Sequence, residues 1–127
     1  MLRLRRKSRI LLLDDDAAIQ RLVALLLKRA GHRVDVVAKG NDAIRSIEKN
    51  PYDALLLDLM MPTEGGMTVL RHLREKSPEL LKRVILLTAT PAAVLNTVRK
   101  EVAAIVHKPF EPEELLDAID RLGGEGS

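Results

Sequence analysis

The chain has 127 residues, of which 46% are hydrophobic and 31% charged, a composition that predicts one globular domain and leaves no room for a second one. Its apolar runs fall far short of the roughly 18 residues of a membrane helix, and the absence of cysteine excludes disulfides and thiolate chemistry. The net charge of +3 is uneven, because residues 1–10 contribute +5 and the other 117 therefore contribute −2. A basic arm without aromatic residues is more typical of a solvated tail than of a nucleic-acid site, so we expect no nucleic-acid partner for this domain.

Short apolar runs alternate with helical patterns along the whole chain. The helices are recognised by apolar residues at a spacing of three or four, and by Gly or Pro at their ends. The predicted strands cover residues 9–13, 33–37, 54–57, 84–87 and 103–107. The first predicted helix ends before Gly31, the second is capped by Asn41 and ended by Asn50-Pro51, and the third runs from about Gly66 to Ser77. The fourth is opened by Pro91 and bears Val94, Leu95 and Val98, and the fifth is opened by Pro112.

This alternation of five strands with five helices predicts a doubly wound α/β fold. The expected sheet is parallel, covered by helices on both faces, with the flavodoxin-like strand order 2-1-3-4-5. We assign residues 1–8 to a basic arm, 9–122 to the folded domain and 123–127 to a flexible tail.

Charged side chains follow three of the predicted strands at their carboxyl ends. Asp14, Asp15 and Asp16 follow the first strand, Asp58 follows the third, and Lys108 follows the fifth. Parallel sheets bind ligands outside the carboxyl ends of their strands. Because the first and third strands are neighbours in the expected order, Asp14, Asp15 and Asp58 should converge at one site.

The chemistry of this group favours phosphoryl transfer with a metal ion. Carboxylates held together repel one another and need a cation or a basic side chain as compensation. Oxygen ligands without His or Cys favour a hard divalent ion, and we expect Mg²⁺. An aspartate beside such an ion can act as nucleophile toward a phosphoryl group, and Asp58 is the candidate, with Lys108 stabilising charge on the transferred oxygens.

Several stretches in a fixed order resemble one known family. Each is weak alone, but together they are highly specific: residues 11–16, 52–62, Gly66, 86–89 and 108–110. On these motifs the chain resembles a response-regulator receiver domain of two-component signalling over residues 8–122, so the folded domain assigned to 9–122 is expected to be a receiver domain.

The resemblance implies a signalling switch in the cytoplasm rather than an enzyme with a separate substrate. Asp58 would accept a phosphoryl group from a sensor histidine kinase or a phosphotransfer protein, in a self-catalysed transfer followed by slow autodephosphorylation. It also implies a bound Mg²⁺, held directly by Asp15, Asp58 and the backbone carbonyl of Met60, and through water by Asp14. The downstream partner would be a protein target or an output domain.

The resemblance also implies how the phosphoryl group is read. Thr88 would hydrogen-bond it and Lys108 would pair with it, and a cis bond is expected before Pro109. In the family, an aromatic side chain on the fifth strand follows the threonine inward, but here Ile105 stands at that position. The stretch from Thr88 to Lys108 is also a residue or two shorter than usual, which should shorten the fourth helix or its following loop. Met60 and Thr90 stand where side chains could meet an attacking water, so we expect both to influence autodephosphorylation.

Other interpretations remain open from the sequence. Asp14 and Asp15 could only cap the first helix, Asp16 could be a helix cap or a minor acid of the site, and Thr88 could satisfy a local backbone group. The chain could be a degenerate receiver that acts as an unphosphorylated interaction module. Asp14 and Asp16 also form the Asp-x-Asp of haloacid-dehalogenase-type phosphatases, in which Asp14 would be the nucleophile. The three histidines lack metal-ligand spacing, and we expect no chemistry from His32, His72 and His107.

Overall fold

Eleven elements of secondary structure build the domain in a computed structural model that describes residues 7–62 and 65–124. Within these ranges no helix has both the length and the apolar character needed to cross a membrane. The predicted arm and tail lie mostly outside the described residues. In chain order the elements are β1 (Arg9–Leu13), α1 (Ala17–Arg29), β2 (Arg33–Val37), α2 (Gly40–Lys49), β3 (Ala54–Leu57), α3 (Gly66–Lys76), a 3₁₀ helix (Pro78–Arg83), β4 (Val84–Thr88), α4 (Ala92–Leu95), β5 (Ala104–His107) and α5 (Pro112–Gly124).

The five strands form one parallel sheet with the order β2-β1-β3-β4-β5, which confirms the predicted fold. Leu13 at the end of β1 pairs with Leu57 at the end of β3. Thr88 at the end of β4 pairs with His107 at the end of β5. This register brings the residues after β1, β3 and β5 to one edge of the sheet, beside the last residue of β4.

The sheet separates two apolar cores. Because successive side chains of a strand point to opposite faces, Leu11 and Leu13 of β1 face one core while Ile10 and Leu12 face the other. The first core is closed by α2, α3 and α4, and the second by α1 and α5. Strands β1, β3 and β4 are buried on both faces, and full burial of each Leu or Ile contributes roughly 1.5–3 kcal/mol.

The ends of the first two helices correct part of the sequence interpretation. Asp16 is the N-cap of α1, and its Oδ1 accepts from the amides of Ala18 (2.8 Å) and Ile19 (3.2 Å). The expectation that Asp16 is a helix cap is therefore confirmed. The prediction of Asn41 as the cap of α2 is wrong, because the chain already turns at the buried Gly40 and Lys39 occupies the cap position.

Helix α4 is much shorter than its apolar pattern suggests. It ends at Leu95, so the prediction of a helix that includes Val98 is wrong, and the shortening relative to the family stays a prediction. Thr97 is a poor helix former, and its hydroxyl bonds the Val94 carbonyl (3.1 Å), which competes with helix propagation. Val98 is nevertheless 2% exposed, so the turns after α4 still contribute to the core.

A short 3₁₀ helix before β4 brings the helices of the described residues to six, where five were predicted. It begins at Pro78, because proline favours the first turn of a helix. Two side chains anchor the turns that follow α4. Arg74 forms a forked pair with Glu101 (2.5 and 2.9 Å), and Lys82 donates to the carbonyl of Lys100 (3.0 Å).

Candidate functional site

Three carboxylates meet at the carboxyl edge of the sheet, as the strand order predicts. The amide of Asp58 donates to the carbonyl of Leu13 (3.1 Å), which extends the β1–β3 ladder up to the site. Asp14, Asp15 and Asp58 each place a carboxylate oxygen within 4.8 Å of the others. Asp14 and Asp58 are buried, whereas Asp15 is exposed. We call these three residues the acidic group.

Lys108 reaches this group from the far side of β4. Its Nζ lies 2.6 Å from Asp14 Oδ2 and 3.2 Å from Asp58 Oδ2, and its side chain is 17% exposed. The amide of Lys108 donates to the Thr88 carbonyl (2.9 Å), so the β4–β5 ladder fixes the start of the side chain. The peptide bond before Pro109 is cis, as predicted.

A divalent cation would balance the charges of the site. Burial on its own would lower the pKa of Lys108, but the hydrogen bond to Asp14 and the charge of Asp58 outweigh it, so the pKa lies above its ordinary value. The lysine is therefore an ammonium ion at neutral pH. One ammonium and three carboxylates leave two negative charges, and oxygen ligands favour a hard ion, so the acidic group fits Mg²⁺.

Backbone groups hold the Asp58 carboxylate in place. Its Oδ1 accepts from the amide of Met60 (2.9 Å), while its Oδ2 faces Lys108. The Asp58 carbonyl accepts from the amide of Gly66 (2.9 Å), and a Cβ at Gly66 would lie 2.6 Å from that oxygen. Glycine is therefore required where α3 begins, because any side chain would push its first turn away from Asp58.

The two threonines after β4 form a buried pair. The hydroxyls of Thr88 and Thr90 are 2.8 Å apart, and the amide of Thr90 donates to Thr88 Oγ1 (3.2 Å). The alternative that Thr88 satisfies a local backbone group is thus observed, and its bond to a phosphoryl group stays a prediction. The sequence predicts that both Met60 and Thr90 could meet an attacking water, but Met60 is 58% exposed whereas Thr90 is 5% exposed.

Ile105 lies on the same face of the sheet as Thr88. It pairs with Leu86 on β4, two residues before Thr88, and packs against the core under α2, α3 and α4. A movement of Thr88 can therefore reach Ile105 through neighbouring side chains on one face. The role of Ile105 as a switch residue stays a prediction.

Sequence reasoning missed one contact of the site, and its expectation of no chemistry from the histidines stays a prediction. Gln20 on α1 donates from Nε2 to the Asp14 carbonyl (2.5 Å), and a polar side chain on a partly buried helix face is the only signal that could have shown it. His32 is buried and its Nδ1 accepts from the amide of Ser8 (3.0 Å), a structural role. Over the ranges that the structure describes, the acidic group contains no histidine.

Comparison with known proteins agrees with this arrangement. Residues 10–120 match the sequence profile described as "Response regulator receiver domain". The chain therefore belongs to the family of response regulator receiver domains, which are signalling switches rather than conventional enzymes.

Curated relatives extend beyond the part that matches. The transcriptional regulatory protein ResD of Bacillus subtilis is 36% identical, over 91% of this chain and 48% of the relative. The transcriptional regulatory protein GltR of Pseudomonas aeruginosa is 34% identical, over 89% of this chain and 48% of the relative. The chain thus spans about half the length of these relatives.

Solved structures share the fold over nearly the whole chain. The receiver domain of a sensor histidine kinase from Pseudomonas aeruginosa, with a magnesium ion coordinated in its active site cleft, has a TM-score of 0.81 and 30% identity, covering 94% of this chain and 100% of that one. The response regulator TrrA from Thermotoga maritima, in complex with Mg²⁺ and BeF, has a TM-score of 0.80 and 30% identity, covering 92% and 99%.

Proposed function

We propose that this chain is a phosphoacceptor receiver of a two-component or phosphorelay system, and that Asp58 takes a phosphoryl group from a histidine kinase or a phosphotransfer protein. The observation that carries the proposal is the ammonium of Lys108 shared between Asp14 and Asp58. It places a fixed positive charge beside a buried carboxylate that is held by the backbone of its own loop.

The transfer step would use these groups together with a bound Mg²⁺. An oxygen of Asp58 forms a bond to phosphorus as the bond between phosphorus and the donor breaks, and the donor leaves with that electron pair. Lys108 turns its charge toward the oxygens of the transferred group as negative charge accumulates there. Met60 keeps the carboxylate oriented through its amide, which reduces the entropy lost on the way to the transition state.

The acidic group would hold Mg²⁺ during this reaction. Asp15 and Asp58 are proposed as direct ligands together with the Met60 carbonyl, and Asp14 as a ligand through water. The ion, when bound, supplies positive charge that offsets repulsion between the carboxylates and the incoming phosphoryl oxygens. The exposed position of Asp15 supports a direct role, because an ion entering from solvent meets it first.

Phosphorylation would then change a partner-binding surface. A phosphoryl group adds nearly two negative charges and strong acceptor oxygens at the edge of the sheet. We propose that Thr88 donates to it and that Ile105 follows on the same face. Since Ile105 is already partly buried, the change of exposed surface should be smaller than with an aromatic residue.

The length of the relatives supports a proposal about the downstream partner. Because the chain spans about half of proteins named transcriptional regulators, we propose that the switched surface acts on an output domain or a separate protein target. The proposal places the chain in the cytoplasm, where a histidine kinase obtains its phosphoryl group from ATP. The phosphatase alternative is disfavoured, since Asp16 is occupied in capping α1 and Asp14 is buried against Lys108.

The test is intact mass after incubation with acetyl phosphate and Mg²⁺. We expect the wild-type chain to gain one phosphoryl group, and Asp117→Ala, which changes an aspartate outside the acidic group, to gain it as well. Asp58→Ala and a metal-free sample should gain none. A wild-type chain that binds Mg²⁺ but gains no phosphoryl group would contradict the proposal and favour the unphosphorylated interaction module.

A further inference from the structure

We infer that Thr90 is a positioning residue that holds the Thr88 hydroxyl in the unphosphorylated state and so sets how readily the switch responds. This inference rests on the proposed function, because it concerns the bond between Thr88 and a phosphoryl group. It starts from one observation, the buried contact between the two hydroxyls.

Two hydrogen bonds to Thr90 orient the Thr88 hydroxyl. Thr88 Oγ1 accepts from the Thr90 amide at 3.2 Å and shares a second bond with Thr90 Oγ1 at 2.8 Å. A hydroxyl has a single proton to donate. Both residues are buried, at 0% and 5% exposure, so bulk water cannot readily replace a lost partner. The intervening Ala89 is exposed, so the chain here turns both threonines, and not their neighbour, inward.

This geometry makes two arrangements compete. In the structure the Thr88 hydroxyl bonds Thr90. When Thr88 turns to donate to a phosphoryl oxygen on Asp58, the Thr90 hydroxyl and amide lose their partner inside the protein. A buried polar group without a partner is unfavourable. The Thr90 hydroxyl therefore stabilises the unphosphorylated arrangement, and its removal should favour the phosphorylated one.

The experiment measures the affinity of beryllofluoride, a phosphoryl analogue, in saturating Mg²⁺ by isothermal titration calorimetry. Thr90→Val keeps the shape of the side chain and removes the hydroxyl, and we expect it to bind beryllofluoride about fivefold more tightly than the wild type, the factor of one neutral hydrogen bond. Thr90→Ser keeps the hydroxyl and should retain wild-type affinity. The affinity for Mg²⁺ alone should be the same in all three, because Thr90 is not part of the acidic group.

Equal or weaker beryllofluoride binding by Thr90→Val would overturn the inference, since Thr90 would then be neutral or would assist Thr88. If Thr90→Val does not fold, Thr90→Ala makes the same test without a branched side chain to accommodate. Failure of the wild-type chain itself to bind beryllofluoride with Mg²⁺ would overturn the proposed function, and this inference with it. The wild-type titration therefore distinguishes the two failures.

Discussion

Replacing Lys108 with methionine should destabilise the protein by about 3 kcal/mol at neutral pH without Mg²⁺, the lower end of the range for breaking a buried ion pair. The side chains of Asp14 and Asp58 are 1% and 6% exposed, and both contact the ammonium. Loss of a bond to a charged group costs about 1.5–3 kcal/mol, and two such bonds are lost. Each carboxylate keeps one backbone donor, from Asp16 and Met60, which is why we expect the lower end.

Urea unfolding followed by far-UV circular dichroism measures this change, because the chain has no tryptophan to report by fluorescence. Added Mg²⁺ should reduce the difference in the free energy of unfolding between Lys108→Met and the wild type, since the ion supplies the missing positive charge. Adding Asp14→Asn to Lys108→Met should recover stability, because one unpaired charge is removed. Lys49→Met, at an exposed lysine, should change stability by no more than about 0.5 kcal/mol. A loss below about 1 kcal/mol for Lys108→Met would refute the role of Lys108 as counter-charge.

Three further predictions concern Gly66 beside the site, the Tyr52 hydrogen bond to β2, and Mg²⁺ binding. Gly66→Ala places a Cβ 2.6 Å from the Asp58 carbonyl, so we expect a loss of about 1–3 kcal/mol in urea unfolding and at least about tenfold slower phosphorylation by acetyl phosphate. Tyr52→Phe removes a 2.7 Å hydrogen bond to Asp35 and a 2.6 Å hydrogen bond shared with Ser46, which together should cost about 1–2 kcal/mol at pH 7. The bond to Asp35 holds the pKa of Asp35 below 3.8, so the stability that this bond provides is present above pH 3.8 and is lost as pH falls through the lower folded value. Mg²⁺ at a hundred times its dissociation constant should stabilise the wild type by about 2.7 kcal/mol in thermal unfolding, and Asp15→Asn should abolish most of this gain.

Each of these predictions has an outcome that contradicts it. Gly65→Ala is the matched control for Gly66→Ala, because its Cβ would meet the Met61 side chain (2.8 Å) rather than the backbone of Asp58. Equal phosphorylation rates for the two variants would count against the role of Gly66. A loss of stability in Tyr52→Phe that stays constant from pH 7 to well below pH 3.8 would assign the loss to the Ser46 hydrogen bond and contradict the role of Asp35. An undiminished response of Asp15→Asn to Mg²⁺ would place the ion elsewhere.

The fold could be predicted because the clearest pattern in the sequence, its apolar runs, belongs to the residues whose burial contributes most to the free energy of folding. The leucine runs of β1 and β3 are buried on both faces, and such continuous runs are typical of central parallel strands. Once the strand order is fixed, the convergence of Asp14 and Asp58 follows from topology, because they end neighbouring strands. Lys108 ends β5, on the far side of β4, so the topology places it at the same edge, and its long side chain makes the contact with both carboxylates.

Features that depend on side-chain packing between distant elements could not be predicted. The bond between Tyr52 and Asp35 joins β2 to the loop before β3, and neither residue signals the other in sequence. The length of α4 depends on small differences in helix propensity around Thr97, which apolar spacing does not reveal. The contact between the Thr88 and Thr90 hydroxyls depends on the side-chain rotamers of both residues, which the sequence does not reveal.

In the proposed function Asp58, and no other aspartate of the acidic group, receives the phosphoryl group. The most direct test is to phosphorylate the chain with acetyl phosphate and Mg²⁺, reduce the aspartyl phosphate with borohydride to homoserine, and locate that residue by tandem mass spectrometry. We predict homoserine at position 58 alone. Homoserine at position 14 would contradict the account and would instead support the phosphatase-type nucleophile.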